Sequence, residues 1–481
     1  MMPDTNISVI LPTVLLTAWA CALLLLDELV IKRKGITALL AAAGLALALG
    51  FALMQTGSEM TGFSGMVVLD GFAHFFTILF LLTGLFGVAV SYDYIRRMDI
   101  ERGEYYVLVL FSVAGMILIS QATDLIVVFL ALELLSIPLY VLSAFANPRA
   151  DSEEAGLKYF LLGSFAAGFL VYGTALTFGA TGSTSLYAIV ASISAGSANL
   201  AFLLAGAALL LIGFGFKVAA VPFHMWTPDV YQGAPTAVTA FMSAGAKAAG
   251  FAALLRVFMI AFPSLSVDLA PVLWIISAVT MFAGNIIAIA QTNIKRMLAY
   301  SSIAQAGYIL MAFVPYGNPL VADTAIASGL FYLFTYTLTS FGAWAVVIAL
   351  EKAEGKGLEI NDYAGLGRKY PALAAAMTVF MFSLTGIPPT LGFVGKFYLF
   401  SSVIAGGYYW LAVIGVVTSL ISAYYYLRVV VMMYMREGAP ERTSETWLNV
   451  TWGTAAVLTV VLSFVPGFIF NWATQAVLKI F

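Results

Sequence analysis

The chain has 481 residues, of which 62% are hydrophobic and only 10% are charged. A soluble globular domain has about 45–50% apolar and about 25% charged residues, so we expect most of this chain to lie in a lipid bilayer. The net charge of −2 gives no indication of nucleic-acid binding. A single cysteine, Cys21, excludes a disulfide framework and a cysteine-ligated cluster, and two distant histidines, His74 and His224, exclude a haem or a histidine-rich metal site.

The hydrophobic pattern predicts fourteen membrane-spanning helices, each about 20 residues long or longer. These spans begin near Ile7, Gly35, Asp70, Glu104, Asp124, Gly156, Asn199, Thr236, Pro271, Ile294, Asp323, Pro371, Tyr408 and Trp447. No linker is long enough to separate soluble domains, so we expect residues 1–481 to form one all-α polytopic membrane domain. The N-terminal stretch MMPDTN lacks basic residues, and we expect the first span to remain as a helix, since it does not have the pattern of a signal peptide.

The basic residues predict the orientation of the spans, because loops rich in lysine and arginine stay in the cytoplasm. With the N-terminus outside, the cytoplasmic side receives Lys32, Arg33, Lys34, Arg96, Arg97, Arg102, Arg149, Lys158, Lys295, Arg296, Lys352, Lys356, Arg368, Lys369, Arg428, Arg436 and Arg442. The outer side receives both chain termini, Arg256 and Lys479. Of the 22 basic residues, three remain, and all three fall inside predicted spans: Lys217, Lys247 and Lys396.

Two predicted spans, 199–233 and 371–405, are longer than the roughly 20 residues that one crossing needs. Both contain helix breakers, which are Pro222 and Pro228 in the first and Gly386, Pro388, Pro389, Gly392 and Gly395 in the second. Interrupted helices at corresponding places in two halves are typical of a transport site. The pattern predicts two five-helix units, 104–260 and 271–435, flanked by 1–103 and 436–481, with broken helices seven and twelve. An odd number of crossings inverts one unit relative to the other.

Four ionisable residues lie inside apolar spans: Glu133, Lys217, Lys247 and Lys396. A charge near the bilayer centre costs roughly 2.5–3.5 kcal/mol, so such a residue faces water, a partner or a transport pathway. Burial disfavours the charged form of a carboxylate or an amine, and a neighbouring opposite charge favours it. A buried lysine can therefore take up and release a proton, and Glu133 can switch Lys217 by approaching or leaving it. This arrangement predicts a proton relay that needs no cofactor.

Structural roles remain open for the same residues. Glu133 and Lys217 could form a static ion pair, Lys247 could be purely structural, and the Lys396 side chain could reach to an interface. His224 lies beside the break in span seven and serves equally well as a packing residue or a relay. Lys295 lies at the cytoplasmic start of a predicted helix, and the topology alone explains a basic residue there. Helix-end, interfacial or packing roles are expected for Lys158, His74, Asp124, Asp229 and the tyrosines of 424–426.

Several catalytic motifs are absent from the sequence. The chain has no GxxxxGK[ST] phosphate loop, no CxxC and no HExxH. A redox centre or a nucleotide site within this chain is therefore not expected.

Four stretches resemble the antiporter-like membrane subunits of the proton-pumping NADH:quinone oxidoreductase, respiratory complex I. They are LALELLSIPLY (130–140), GFGFKVAAVPFHMWTPDVYQGAPTAVTAFMSAGAKAAGF (213–251), NIKRMLAYSSIAQAGYIL (293–310) and LTGIPPTLGFVGKFYLF (384–400). The sequence WTPDVYQGAP (226–235) is typical of one of the three such subunits, whereas the other two and the related sodium/proton antiporters typically have WLPDA at this place. The resemblance covers about residues 60 to 440.

The resemblance implies fourteen helices with inverted five-helix repeats and a proton relay of Glu133, Lys217, Lys247 and Lys396, with His224 matching the family's histidine after the break. Gln305 departs from the family, since many relatives have histidine there; the departure suggests that water or Lys295 takes that role. FMN, iron–sulfur clusters and quinone are expected in partner subunits, among them other membrane subunits of the complex and its sister antiporter-like subunits. The implied location is the bacterial plasma membrane.

Three alternatives remain at this point. The chain could belong to a multisubunit sodium/proton antiporter, although the WTPDVYQGAP wording argues against it. It could be a scaffold that links other pump subunits. It could also serve a related complex whose electron donor is ferredoxin, which this chain cannot distinguish because the donor binds another subunit.

Overall fold

The computed structural model describes residues 5–31, 34–353 and 355–478. Lys32, Arg33 and Lys479, which contributed to the predicted orientation, lie outside the described residues. The predicted all-α membrane architecture is confirmed. The spans are α1 (Leu11–Leu29), α2 (Lys34–Met54), α3 (Gly71–Ser91), α4 (Glu104–Gln121), α5 (Leu125–Ser143), α6 (Ala150–Thr181), α7a (Leu200–Val218), α7b (Trp226–Gly233), α8 (Thr236–Ala261), α9 (Ser266–Ile289), α10 (Ile294–Met311), α11 (Ala322–Leu350), α12a (Pro371–Thr385), α12b (Leu391–Ala405), α13 (Tyr409–Met435) and α14 (Thr446–Phe464).

Twelve helices in the described part of the chain are long and apolar enough to cross a bilayer. Two further spans complete the fourteen. They are α10, whose first turn carries the charged residues Lys295 and Arg296, and α12, which is divided into two shorter apolar helices. The helices α4–α8 and α9–α13 form the two inverted repeats, each with its fourth helix broken. The residue boundaries 104–260 and 271–435 remain a prediction.

Short elements join the spans, and the sequence reading did not predict them. A two-stranded antiparallel hairpin pairs β1 (Met60–Gly62) with β2 (Val67–Leu69), with Met60 opposite Leu69. Short α-helices cover Tyr94–Arg97, Leu186–Ser194, Leu366–Lys369 and Gly467–Gln475, and short 3₁₀ segments cover Ile7–Ile10, Pro263–Leu265 and Ile360–Tyr363.

Side-chain caps explain several helix starts. The carboxylate of Asp70 accepts a hydrogen bond from the Ala73 amide at 2.7 Å, and that of Asp124 accepts one from the Ile126 amide at 2.8 Å. Each supplies an acceptor to an amide that has no partner within the first turn of its helix. The predicted capping role of Asp124 is confirmed.

The two broken helices end in similar ways. In α7a the chain leaves the helix through Ala219, whose φ is +61°, and in α12a it leaves through Gly386, whose φ is +90°. Each break also contains a cis X-Pro bond, Val221–Pro222 or Pro388–Pro389. Since proline has no amide hydrogen and the chain direction changes, the last carbonyls of α7a and α12a are left without helical donors.

The central helices are α8 and α11, in each of which 94% of the residues in the most apolar stretch are buried. At the periphery, α6 is only 28% and α14 only 22% buried. The core of the bundle therefore surrounds the α8–α11 contact, and the outer helices present apolar faces outward, as lipid or partner subunits require.

Candidate functional site

The structure buries all three lysines that the topology left unexplained. Lys217, Lys247 and Lys396 are less than 5% exposed, and Glu133 is half-buried. Each lysine lies at or opposite a helix break. Burial of a cation requires acceptors that replace water, so the acceptors of each lysine indicate what its surroundings can do.

Glu133 and Lys217 lie on neighbouring helices, α5 and α7a. The Lys217 ammonium donates to the Ser136 hydroxyl at 2.6 Å and lies 5.6 Å from the centre of the Tyr159 ring. No ion pair within 4.0 Å joins Glu133 to Lys217 among the described residues, and the Glu133 Oε1 atom is buried without a hydrogen-bond partner in them. The two charges are near enough to interact electrostatically and remain separate. The predicted proton relay requires the distance between Glu133 and Lys217 to change. This movement stays a prediction.

Lys247 joins the two repeats. Its ammonium donates to the Val218 carbonyl at 3.2 Å and to the Ser302 carbonyl at 2.8 Å. Val218 is the last residue of α7a, and Ser302 lies on α10 in the second repeat. A π-helical turn, Met242–Ala246, immediately precedes Lys247 on α8, and such turns occur frequently at functional sites.

Lys396 has a closely related environment in the second repeat. Its ammonium donates to the Thr385 carbonyl at 2.9 Å and to the Ser419 hydroxyl at 3.0 Å, and it lies 4.3 Å from the centre of the Tyr308 ring. Thr385 is the last residue of α12a. Both breaks therefore supply a backbone carbonyl to a buried lysine.

Buried tyrosines, together with Gln305, occupy the space between Lys247 and Lys396. The Tyr336 hydroxyl donates to the Ser302 hydroxyl at 2.9 Å, and the Tyr332 hydroxyl donates to the Gln305 amide oxygen at 2.5 Å. The Gln305 amide nitrogen donates to the Leu384 carbonyl at 3.1 Å and to the Tyr426 hydroxyl at 3.2 Å.

These tyrosines were not predicted from the sequence, where residues 424–426 are expected to form a packing or interfacial cluster. The signal that could have found them is the spacing of Tyr332, Tyr336 and Ser340 on α11, since residues four apart share one helix face. In the cluster itself, Tyr425 and Tyr426 are buried and Tyr424 is exposed.

Lys295 and His224 lie apart from Lys247, Lys396 and the buried tyrosines between them. The Lys295 ammonium donates to the Ala234 carbonyl at 2.7 Å, at the C-terminal end of α7b. Ten helical residues separate Lys295 from Gln305, which is about 15 Å, so Lys295 does not contact Gln305. His224 lies in the break 219–225, and its Nδ1 atom is buried without a partner within the described ranges. Their roles remain predictions.

Ion pairs position the surrounding helices. Asp229 on α7b binds Lys158 of α6 at 2.7 Å and Arg296 of α10 at 2.8 Å. The fully buried Arg256 on α8 binds Asp70 with two hydrogen bonds of 2.8 Å. Asp229, with Lys158 and Arg296, thus ties α6, α7b and α10 together, which the expectation of a solvated helix end for Lys158 and a simple cap for Asp229 did not include.

Comparisons with known proteins agree with this architecture. The family described as NADH:quinone oxidoreductase/Mrp antiporter, TM matches residues 122–422, more than half of the chain. NADH-quinone oxidoreductase subunit N of Trichlorobacter lovleyi is 49% identical over 98% of this chain and 97% of its own. A chain of respiratory complex I from Thermus thermophilus is 38% identical, with a TM-score of 0.83 over 96% of this chain and 99% of its own. A chain of the Mrp complex from Dietzia sp. is 20% identical with a TM-score of 0.85 over 98% of this chain and 97% of its own, and it shows the shared fold alone.

Proposed function

Because the chain belongs to the NADH:quinone oxidoreductase/Mrp antiporter transmembrane family, we propose that it is subunit N of a proton-translocating NADH:quinone oxidoreductase. In this proposal it moves protons through the buried glutamate and three lysines described above. The energy comes from electron transfer from NADH to quinone in other subunits and reaches this chain as a change of charge or conformation.

The bridging position of Lys247 is the observation that carries the proposal. Its ammonium takes one carbonyl from the break in α7 and one from α10 of the second repeat. Because the two repeats are inverted, a lysine between them can exchange protons with one side of the membrane through one repeat and with the other side through the other. Inverted repeats with a site at their interface are the common plan of transporters that alternate access.

Each remaining member of the relay has a distinct role in the proposal. Glu133 and Lys217 form the switch: when Glu133 approaches, Lys217 is held as an ammonium, and when it withdraws, Lys217 can release its proton to water at the break. Lys396 is the terminal carrier. Its acceptor, the Thr385 carbonyl, comes from the second break.

The proposal also assigns the surroundings of the chain. FMN, iron–sulfur clusters and quinone belong to partner subunits, and this chain contributes to the translocase without a redox centre of its own. The complex resides in the bacterial plasma membrane, with both termini of this chain on the outer side. The partners include sister antiporter-like membrane subunits, and lipid covers the remaining apolar faces.

The test is Lys247→Ala in the intact complex, reconstituted in liposomes. We expect NADH oxidation to continue while the number of protons moved per NADH falls, because no other described side chain joins the α7 break to α10 through these two carbonyls. Lys369→Ala is the matched control, since Lys369 is an exposed lysine at the end of the short helix Leu366–Lys369 and its loss should leave the ratio unchanged. An unchanged ratio in Lys247→Ala would exclude Lys247 as a carrier.

Isolation of the tagged chain in mild detergent tests the assembly. Iron–sulfur and flavin absorbance together with NADH-oxidising partners would support the proposal. A set of small membrane partners without a chromophore, combined with sodium flux in the absence of NADH, would replace it with the antiporter.

A further inference from the structure

Glu351 is a buried acid that the relay does not include. It immediately follows α11 and is 2% exposed, and its Oε2 atom is buried with no hydrogen-bond partner among the described residues. It lies at the end of the bundle that carries the basic loops. Since an unpaired buried polar oxygen is costly, each such atom calls for a specific explanation such as bound water or a catalytic role.

Two further unpartnered oxygens lie in the surroundings of Glu351. The Thr236 hydroxyl and the Tyr363 hydroxyl are both buried without partners within the described part of the chain. The Thr236 amide donates to the Tyr94 hydroxyl at 2.9 Å, and both Tyr94 and Tyr363 interact electrostatically with Glu351. Buried polar atoms without protein partners are the atoms that ordered water commonly satisfies.

Charged groups from the neighbouring elements complete this environment. Lys295 on α10 interacts with Glu351 and is itself influenced by Arg149 and Asp151 at the start of α6. Arg97 donates to the Ile348 carbonyl of α11, yet its charge is already paired with Glu445. Lys295 is therefore a counter-charge for Glu351 that has no carboxylate of its own within 4.0 Å among the described residues.

A line of hydroxyl groups leads from this cluster toward Lys247. On α8, Thr236, Thr239, Ser243 and Lys247 are spaced three, four and four residues apart, which places them along one helix face. The distance from Thr236 to Lys247 is eleven residues, or roughly 16 Å along the axis. This length is too great for one hydrogen bond and is suited to a short chain of water and hydroxyl groups.

The helix α11 packs against the face of α8 that carries these hydroxyl groups. The Ser243 and Ser340 hydroxyls are 3.1 Å apart, and the Tyr336 hydroxyl reaches Ser302, whose carbonyl holds Lys247. The α8–α11 contact thus has polar groups at both ends, with Glu351 and Thr236 at one end and Lys247 at the other.

We propose that Glu351 is the proton-loading acid of this chain, which takes a proton from the basic end of the bundle and passes it along the α8–α11 contact to Lys247. The step is a proton transfer only: the Glu351 carboxyl becomes a carboxylate, the neutral Lys247 amine becomes an ammonium, and no electron moves. Lys295 stabilises the carboxylate after the proton has left. The inference rests on the proposed function, since it supplies the entry of the same relay.

The test compares Glu351→Gln and Glu437→Gln in the intact complex, reconstituted in liposomes with a pH-sensitive dye. Glu437 is a matched control because it is 87% exposed and its partner, Arg368, is exposed as well. We expect the number of protons moved per NADH oxidised to fall in Glu351→Gln by the share that passes through this chain, because an amide cannot take up and release a proton as a carboxyl group does. Glu351→Asp should retain most of the ratio, because it keeps the carboxyl group.

Two further variants keep the inference testable. If Glu351→Gln fails to assemble, Thr236→Val removes the facing hydroxyl at constant size and charge, and an unchanged ratio there would overturn the route. A wild-type ratio in assembled Glu351→Gln would overturn the loading role. Lys247→Ala separates the two proposals: if it lowers the ratio while Glu351→Gln does not, only the entry assignment fails, and if neither lowers it, the relay itself fails.

Discussion

At the scale of single residues, the three buried lysines differ in what accepts their hydrogen bonds. Lys217 donates to a hydroxyl, Lys247 to two carbonyls, and Lys396 to one of each. A carbonyl accepts from an ammonium and from a neutral amine alike, so Lys247 keeps its position when its proton leaves. A hydroxyl both donates and accepts, so the Lys217 site can reverse its hydrogen bond when the charge state changes.

Ser136→Ala tests this difference at Lys217. The variant removes the hydroxyl that the ammonium contacts at 2.6 Å, and a hydrogen bond to a charged group contributes about 1.5–3 kcal/mol. We expect lower thermal stability of the purified complex and fewer protons moved per NADH. Ser143→Ala is the control, because Ser143 lies on the same helix and bonds its own helix backbone at 2.8 Å without contacting a lysine. Equal effects of the two substitutions would argue against a special role for Ser136.

Some residues of the site could be predicted from the sequence, and the reason is physical. Lys217, Lys247 and Lys396 stand out because the positive-inside rule leaves them unexplained. Glu351 was not detected, because it follows a span and precedes a charged loop, where topology gives an acid an ordinary place. The carbonyl acceptors of Lys247 are invisible in a sequence, since every residue has a carbonyl and only the packing of helices selects two of them.

At the scale of elements, the glycine at the end of α12a has two constraints at once. Gly386 has a φ of +90°, and a Cβ atom added there would lie 2.9 Å from the Lys396 Cδ atom. Gly407, in the loop before α13, has a φ of +87° with nothing within 4 Å of such an atom. The pair therefore separates backbone strain from contact with the lysine.

Gly386→Ala is expected to lower proton translocation as well as stability. Both Gly386→Ala and Gly407→Ala should lose roughly 1–2 kcal/mol, the cost of a left-handed backbone for a residue with a side chain. Only Gly386→Ala should displace Lys396 and reduce protons moved per NADH. Thermal unfolding and liposome assays of both variants provide the measurement, and a pumping defect of equal size in Gly407→Ala would contradict the role assigned to the break.

Sequence patterns predict some elements of this fold and not others. The breaks in spans seven and twelve were predicted because proline and glycine disrupt helices wherever they occur in an apolar run. The β1–β2 hairpin and the helix Leu186–Ser194 were missed, since nine or fewer residues produce little periodicity and their formation depends on the spans they pack against.

At the scale of the whole molecule, a link between distant segments closes the bundle. Arg97, after α3, pairs with Glu445 at the start of α14 and also donates to Thr443 at 2.7 Å. Burial raises the pKa of the Glu445 carboxyl above its ordinary value of 4.5, and the Arg97 charge offsets only part of that effect. The folded chain therefore binds this proton more tightly than the unfolded chain does.

The direction of the Glu445 pKa shift determines how the stability of the folded chain depends on pH. The contribution of Glu445 to stability is fully present below its unfolded-state pKa and is lost as the pH rises through its higher folded-state pKa. We expect the unfolding midpoint of the wild type to fall relative to Glu445→Gln between about pH 4 and about pH 7. Thermal unfolding of the purified complex at both pH values measures it, with Glu437→Gln as the exposed control. An increase over the same interval would contradict the prediction.

The midpoint location of Lys247 has a consequence for the energetics of the membrane. Lys247 is eleven residues from the first residue of α8 and fourteen from the last, so a proton bound there has crossed about half of the electric field. A full crossing against 100 mV costs about 2.3 kcal/mol, and half of it costs about 1 kcal/mol, similar to the net contribution of one hydrogen bond. The voltage that a pump builds would thus act directly on the occupancy of Lys247 and slow the chain as the membrane becomes charged.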